Sequence, residues 1–139
     1  MLRGMATVSY WADDLEAAKN WYAELLDMEP YFERPGGGAP AAYYEFRPGD
    51  YQHELGLIDR RYAPQGTAAG PGGVVVYWHV DNLEGSLERL LAMGATLHEP
   101  RTERGEGWIT ASVVDPFGNI LGIMHNPLYL EVLDSFKNA

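Results

Sequence analysis

The sequence predicts an α+β fold built from two tandem β-α-β-β-β modules, on three observations. A strand-to-helix junction occurs twice, as VSYWADDLE at residues 8–16 and as VVYWHVDNLE at residues 75–84. The modules also end alike, in HELGLID at residues 53–59 and NILGIMH at residues 119–125. The chain has 139 residues, 46% of them apolar, which suits one globular domain with a sizeable core.

In the first module, residues 5–59, a helix follows the first strand. Asp13 or Asp14 is placed to accept hydrogen bonds from the free N–H groups of the first helical turn. Apolar residues then recur at spacings of three and four, as in an amphipathic helix: Leu15, Ala18, Tyr22 and Leu25. Two further strands are predicted at about 29–34 and 41–47, joined by a GGGAP loop, before the last strand.

The second module, residues 74–126, repeats this order. Asp81 or Asn82 caps its helix. Leu83, Leu87 and Leu90 form the apolar stripe of this helix, and Gly94 ends it. Two middle strands are predicted at about 95–102 and 107–114, and a DPFG turn leads into the last strand.

Two segments lie outside the repeats. Residues 60–73, RRYAPQGTAAGPGG, carry Pro and Gly without periodicity and are predicted to link the modules. The tail, residues 127–139, is apolar enough to need covering, either by its own domain or by a second subunit. Two half-sheets packed together would cover their helices on one side and enclose a cleft on the other.

Charge and composition exclude several classes of function. A net charge of −10 argues against nucleic-acid binding, in which neutralisation of phosphates is the main source of affinity. No stretch approaches the roughly 20 apolar residues that cross a bilayer, and the N-terminus lacks a secretory signal. With no cysteine, the chain has neither disulfides nor thiolate metal ligands, which fits a reduced cytoplasm.

The segment VVDPFGNILGIM, residues 113–124, resembles the terminal hairpin of the vicinal oxygen chelate superfamily. That group includes glyoxalase I, extradiol dioxygenases, and fosfomycin- and bleomycin-resistance proteins. The resemblance covers about residues 5–126 and implies a curved mixed sheet around a ligand-binding cleft. Because many relatives are two-fold dimers, it also implies a homodimer. The fold hosts many chemistries, so function has to be argued from the site.

The resemblance also implies where a metal ion would be held. In metal-using members, ligands come from the first and last strands of each module. Carried over position by position, these four places fall on residues that are not metal ligands: Thr7, Gly56, Val75 and Gly122. The sequence therefore predicts no metal and no cofactor, and two glycines opposite Thr7 and Val75 are expected to leave space for a ligand.

Strand alternation, with the cleft face taken from the resemblance, predicts the lining of the cleft. The candidate ligand-binding residues are Thr7, Ser9, Trp11, Tyr44, Glu54, Gly56, Val75, Tyr77, His79, Trp108, Gly122 and Met124. His79 is either a general base or ligand donor, or a histidine satisfied by a backbone group at a strand end. Glu54 is either an acid/base partner or counter-ion, or a solvated carboxylate. For Tyr44 and Trp108, cross-strand packing is the alternative.

Four functions follow from these residues. The preferred one is a metal-independent protein that binds a small, partly aromatic molecule in an apolar cleft, with Glu54 and His79 as polar anchors. A metal-free lyase or isomerase would use the same two residues as acid and base. A third possibility is a metal enzyme with non-standard ligands, and a fourth is an interaction protein whose cleft is filled by aromatic side chains. Under the preferred function, His79→Ala is expected to leave folding intact and weaken ligand binding.

Overall fold

The structure, a computed structural model, describes residues 1–36 and 39–138. Residues 37–38, in the predicted loop between the second and third strands, and Ala139, the last residue of the predicted tail, lie outside the described residues. The chain divides into two compact units, so the boundary falls inside the predicted linker. The units are Met1–Thr67 and Ala68–Ala139.

Unit one contains the predicted order of strands and helix. Its elements are β1 (Thr7–Ala12), α1 (Leu15–Leu26), β2 (Phe32–Arg34), β3 (Tyr43–Phe46), β4 (Glu54–Asp59) and a 3-10 helix (Arg60–Tyr62). The sheet order is β1-β4-β3-β2, with β1 and β4 parallel and the other neighbours antiparallel. β2 is shorter than the predicted strand, and the 3-10 helix occupies the start of the predicted linker.

Unit two repeats this topology and adds a helix. Its elements are β5 (Val76–His79), α2 (Leu83–Ala92), β6 (Thr96–Gly105), β7 (Trp108–Val114), β8 (Ile120–His125) and α3 (Pro127–Lys137). The sheet order is β5-β8-β7-β6, again with one parallel pair, between β5 and β8. The predicted α+β class with two tandem β-α-β-β-β modules is confirmed. The predicted tail is the helix α3.

Side-chain caps set where the helices begin. The Asp14 carboxylate accepts a hydrogen bond from Ala17 N–H at 3.1 Å at the start of α1, and the Asn82 amide oxygen accepts one from Gly85 N–H at 3.0 Å at the start of α2. Each cap satisfies an N–H group that has no partner within the helix. Of the alternatives that the sequence leaves open, the second residue of each pair forms the cap.

The apolar stripes of the helices and the alternate residues of the strands form a core in each unit. In unit one the buried apolar residues are Tyr10, Ala12, Leu15, Ala18, Tyr22, Tyr44, Phe46, Leu55 and Leu57. In unit two they are Leu83, Leu90, Ala95, Ala111, Val113, Leu121, Ile123 and Leu133. Among the described residues, no helix combines the length and the apolar character needed to cross a bilayer.

Candidate functional site

In unit one, the candidate site is the face of the sheet that points away from α1. Period-two alternation and the strand register place eight residues on this unit-one site face: Thr7, Ser9, Trp11, Tyr43, Glu45, Glu54, Gly56 and Ile58. The other parity points toward the helix, because the rings of Tyr10 and Tyr22 have centroids 5.6 Å apart. The predicted orientations of Thr7, Ser9, Trp11, Glu54 and Gly56 therefore agree with the structure.

Tyr44, whose orientation the sequence leaves open, lies on the opposite face, so its place among the candidate ligand-binding residues is wrong. Its hydroxyl donates a hydrogen bond to Glu16 of α1 at 2.6 Å, and the residue is buried. Burial, followed by the bond to Glu16, raises the pKa of Tyr44 to about 12. Because neighbouring residues of a strand point to opposite faces, Tyr43 occupies the site face instead.

A hydrogen-bonded cluster surrounds Tyr43 on the unit-one site face. The Tyr43 hydroxyl donates to Glu45 Oε1 at 2.5 Å, and Arg47 Nη2 lies 3.3 Å from Glu54 Oε2. Burial, and then a hydrogen bond with Glu54 and the charge of that residue, raise the pKa of Glu45 above its ordinary 4.5. This face therefore carries a carboxyl group that holds its proton more tightly than usual, beside an aromatic ring.

The raised pKa of Glu45 predicts a specific dependence of stability on pH. The folded protein holds this proton more tightly than the unfolded chain, so the contribution of Glu45 to stability falls as pH rises from about 4.5 through the raised value. We expect the stability of Glu45→Gln relative to the unmodified protein to increase between pH 4 and 7. Urea unfolding across this range measures the difference. The exposed substitution Glu131→Gln is the control, and an equal slope in both variants would contradict the prediction.

Tyr43 also covers Gly56, which corrects the expectation of empty space there. A Cβ atom built on Gly56 would lie 2.8 Å from Tyr43 Cε1 and 3.0 Å from its hydroxyl oxygen. The register pairs Gly56 with Ser9 and Glu45, and Thr7 with Glu54. The prediction that Gly56 lies opposite Thr7 is therefore wrong. Its partner on β1 is Ser9, the next residue along that strand on the same face.

In unit two, the corresponding face points away from α2. The register places on this unit-two site face Tyr77, His79, Trp108, Thr110, Ser112, Ile120, Gly122 and Met124. The side chains of Ala111, Val113, Leu121 and Ile123 have the opposite parity and are buried. Trp108, whose orientation the sequence leaves open, has the parity of Gly122. Val75 lies before the first residue of β5, so its predicted place on that strand is wrong.

Gly122 is covered in the same way as Gly56. It pairs with Tyr77, and a Cβ atom on Gly122 would lie 2.6 Å from Tyr77 Cδ1. The expected space opposite Val75 is therefore filled by the ring of Tyr77. Tyr77 nevertheless has 42% of its surface exposed.

His79 lies at the end of β5 and holds the start of α3. Its Nδ1 accepts a hydrogen bond from Asn126 N–H at 3.2 Å, and its ring stacks on Tyr129 with centroids 4.5 Å apart and planes at 8°. Because Nδ1 accepts, the proton of the neutral ring is on Nε2, which lies 3.5 Å from Asp81 Oδ1. The side chain is 6% exposed. Of the two roles the sequence offers, the bond to Nδ1 favours the histidine held by a backbone group, whereas the buried Nε2 has no hydrogen-bond partner among the described residues.

The residues at the four family ligand positions do not fit a metal ion. Gly56 and Gly122 offer no ligand atom and are covered by tyrosine rings, and Thr7 and Val75 are not imidazoles. Within residues 1–36 and 39–138, no group of three or more His, Cys, Asp or Glu side chains is placed to hold one. Glu54 and His79 belong to different units, and each has partners within its own.

Sequence reasoning missed Tyr43, Glu45 and Arg47 as members of the site. A signal for the first two was present, because in YYEF, residues 43–46, the polar Glu45 marks the solvent side and Tyr43 shares its parity. Arg47 follows β3, where strand alternation makes no prediction. The roles of Asn126 and Tyr129 depend on how α3 packs, which the repeat could not indicate because the tail has no counterpart in module one.

Two β-α-β-β-β units in tandem, each with one parallel and two antiparallel strand pairs, define a class of proteins with a duplicated half-sheet. Residues 4–123 match the Glyoxalase/Bleomycin resistance protein/Dioxygenase superfamily, and the chain belongs to it. The resemblance inferred from residues 113–124 is thereby confirmed. No match was found among curated proteins.

Several solved structures share this fold. A glyoxalase-related enzyme from Fulvimarina pelagi is 23% identical, with a TM-score of 0.68, over 91% of this chain and 90% of that one. Lactoylglutathione lyase from Agrobacterium tumefaciens is 19% identical, with a TM-score of 0.67, over 93% and 98%. TioX from Micromonospora sp. ML1 is 15% identical, with a TM-score of 0.64, over 88% and 98%. At these identities the likeness shows the fold alone.

Proposed function

We propose that this protein binds a small, partly aromatic organic molecule without a metal ion, in the manner of a sequestering or resistance protein. The observation that carries the proposal is the cluster on the unit-one site face, where Tyr43 donates to Glu45 beside Glu54 and Arg47. Small-molecule sites combine aromatic surface with a few directed polar groups, and this cluster supplies both. Membership of a superfamily that includes bleomycin-resistance proteins is consistent with it.

Glu54 remains a polar anchor in this proposal, whereas His79 does not. The Glu54 carboxylate is part of an ion pair with Arg47 whose partners are both partly exposed, so a ligand can compete for it. His79 is held by Asn126 and stacked on Tyr129. Its side chain is 6% exposed, so burial leaves a ligand little access to the ring. The second polar anchor for the ligand in this proposal is therefore Glu45 and not His79.

A metal-free lyase or isomerase is the second candidate, and one observation favours it. Burial and the nearby Glu54 raise the pKa of Glu45, which brings an acid closer to neutrality. In that case Glu45 donates a proton to the substrate, Glu54 accepts one from it, and the Tyr43 hydroxyl holds a substrate oxygen. The metal enzyme with non-standard ligands is less favoured, because the family ligand positions carry a threonine, a valine and two covered glycines.

A homodimer in the cytoplasm completes the proposal. The apolar residues Leu128, Val132 and Phe136 recur every four positions along α3 and are exposed. Such a stripe is typical of a helix face that packs against a partner. The homodimer rests on this stripe together with the family resemblance, and the location rests on the absence of cysteine from the chain.

Native mass spectrometry of freshly purified protein tests the proposed function. We expect a dimer that carries an organic adduct and no metal ion. Glu54→Gln, which removes the anchor charge, should lower adduct occupancy about three- to tenfold, since charged hydrogen bonds of this kind contribute roughly 1 kcal/mol when partly exposed. Glu103→Gln, at an exposed ion pair with Arg101 in unit two, is the matched control and should leave occupancy unchanged.

Two outcomes would contradict the proposal. A near-stoichiometric transition metal in protein purified without chelator would favour the metal enzyme. An adduct whose mass changes on incubation, in the unmodified protein and not in Glu45→Gln, would favour the metal-free lyase. An adduct whose mass is kept but whose retention time changes, again only in the unmodified protein, would favour the isomerase.

A further inference from the structure

We propose that Tyr77 on Gly122 and Tyr43 on Gly56 are two separate aromatic platforms, one in each unit, and that a planar ring of a ligand stacks on each of them. This inference rests on the proposed small-molecule function and names the ligand class: a planar aromatic compound that carries a cationic or hydrogen-bond-donating group. The two rings cover Gly56 of β4 and Gly122 of β8, the positions at which metal-using relatives carry a metal-coordinating residue. In this chain the misfit of those positions to a metal is the starting point of a different site.

The first step is that each ring needs its glycine. A Cβ atom on Gly122 would lie 2.6 Å from Tyr77 Cδ1 and 2.9 Å from Cε1, and one on Gly56 would lie 2.8 Å from Tyr43 Cε1. Any other residue at either position would push the ring away from the sheet, since real Cβ atoms do not approach other atoms so closely. The absence of a side chain therefore allows each ring to lie against the backbone.

The second step is that the two arrangements are built by different residues. In unit two the ring comes from β5, where Tyr77 is the direct partner of Gly122. In unit one the direct β1 partner of Gly56 is Ser9, and the ring comes instead from Tyr43 on β3, which pairs with Ile58. A copied sequence motif would have kept the same strand. What the two units share is the ring over the glycine, which indicates that the arrangement itself has a role.

The third step concerns what the rings can bind. Tyr77 is 42% exposed although it lies on the sheet, so it is not a core residue. Aromatic rings attract other rings and cations through their π faces. Tyr43 is half-buried and donates a hydrogen bond to Glu45, so an acidic group lies beside its ring. A planar ligand with a positive or donating group can meet both the ring of Tyr43 and this acidic group.

The experiment uses 1-methylquinolinium as a planar cationic probe and cyclohexyltrimethylammonium as a cation without an aromatic ring. Binding is followed by NMR on the full chain, together with the Hα shifts of Gly56 and Gly122, which a ring lying over them moves upfield. We expect Tyr77→Leu and Tyr43→Leu each to weaken binding of the quinolinium to its own unit five- to twentyfold and to abolish the upfield shift of the glycine beneath the removed ring. Tyr77→Phe, which keeps the ring, should bind within twofold of the unmodified protein.

Controls separate this inference from the proposed function. Tyr62→Leu removes a tyrosine that is 61% exposed and covers no glycine, so it should leave binding unchanged. If both leucine variants bind the quinolinium as the unmodified protein does, or if the two cations bind equally well, the platforms are wrong, whereas an organic adduct in native mass spectrometry would leave the proposed function standing. If the unmodified protein binds no probe and carries no adduct, both fail. Gly56→Ala, which displaces the ring of Tyr43 without removing it, should reproduce the effect of Tyr43→Leu.

Discussion

Replacing Asp115 by alanine is expected to destabilise the protein by about 2–4 kcal/mol, because unpaired buried donors cost roughly 1–3 kcal/mol each. Asp115 is 3% exposed in the DPFG turn between β7 and β8. Its Oδ1 accepts hydrogen bonds from the N–H groups of Phe117 and Asn119, both at 2.9 Å, and its Oδ2 accepts one from Asn119 Nδ2 at 3.0 Å. Alanine leaves these donors without the carboxylate. Urea unfolding at pH 7 measures the loss.

Asp115→Asn is the matched control for this prediction. An asparagine keeps one side-chain oxygen for the backbone donors of Phe117 and Asn119 and presents an N–H group where Oδ2 accepts from Asn119. We expect it to lose about half as much stability as alanine. If alanine costs less than about 1 kcal/mol, or no more than asparagine, the carboxylate does not organise the turn that begins β8, the strand that carries Gly122.

The fold was predictable because its signals are local and occur twice. A strand followed by a polar cap and a helical stripe needs only neighbouring residues to be read, as at Asp14 and Asn82. The duplication then indicated that each half forms one unit of a four-stranded sheet. Where two adjacent residues could each cap a helix, the sequence could not choose between them, because both carry a side-chain oxygen that accepts hydrogen bonds.

The site was less predictable because it depends on register and on how long side chains fold back. Alternation placed Gly56 and Gly122 on the correct faces, yet it said nothing of the rings of Tyr43 and Tyr77 that cover them. A slip of one residue moves a side chain to the other face of a sheet, so without the register of β3 the sequence could not decide whether Tyr43 or Tyr44 lies on the site face. Residues of neighbouring strands decide whether the space above each glycine is filled, and sequence spacing alone does not show which residues of two strands are paired.

The most consequential revision concerns His79, for which the sequence left a ligand-binding and a structural role open, while the preferred function predicted an intact fold in the alanine variant. The structure instead leads us to expect that His79→Ala destabilises the protein by about 2 kcal/mol, since it removes one buried hydrogen bond and one stacked ring pair, each contributing roughly 1 kcal/mol. Through these two contacts, with Asn126 N–H and with the ring of Tyr129, His79 holds the start of α3 against the end of β5. The helix is therefore expected to loosen first.

Hydrogen exchange of the amides in residues 128–137, measured together with urea unfolding, distinguishes this outcome from a loss of ligand binding alone. In His79→Ala these amides should exchange at least tenfold faster, while those of β7 and β8 change less, because local opening requires only the contacts of α3 to break. His53→Ala, at an exposed ring stacked on Tyr51, is the matched control and should change stability by less than about 0.5 kcal/mol. Unchanged protection of α3, with weakened ligand binding, would restore His79 to the candidate site.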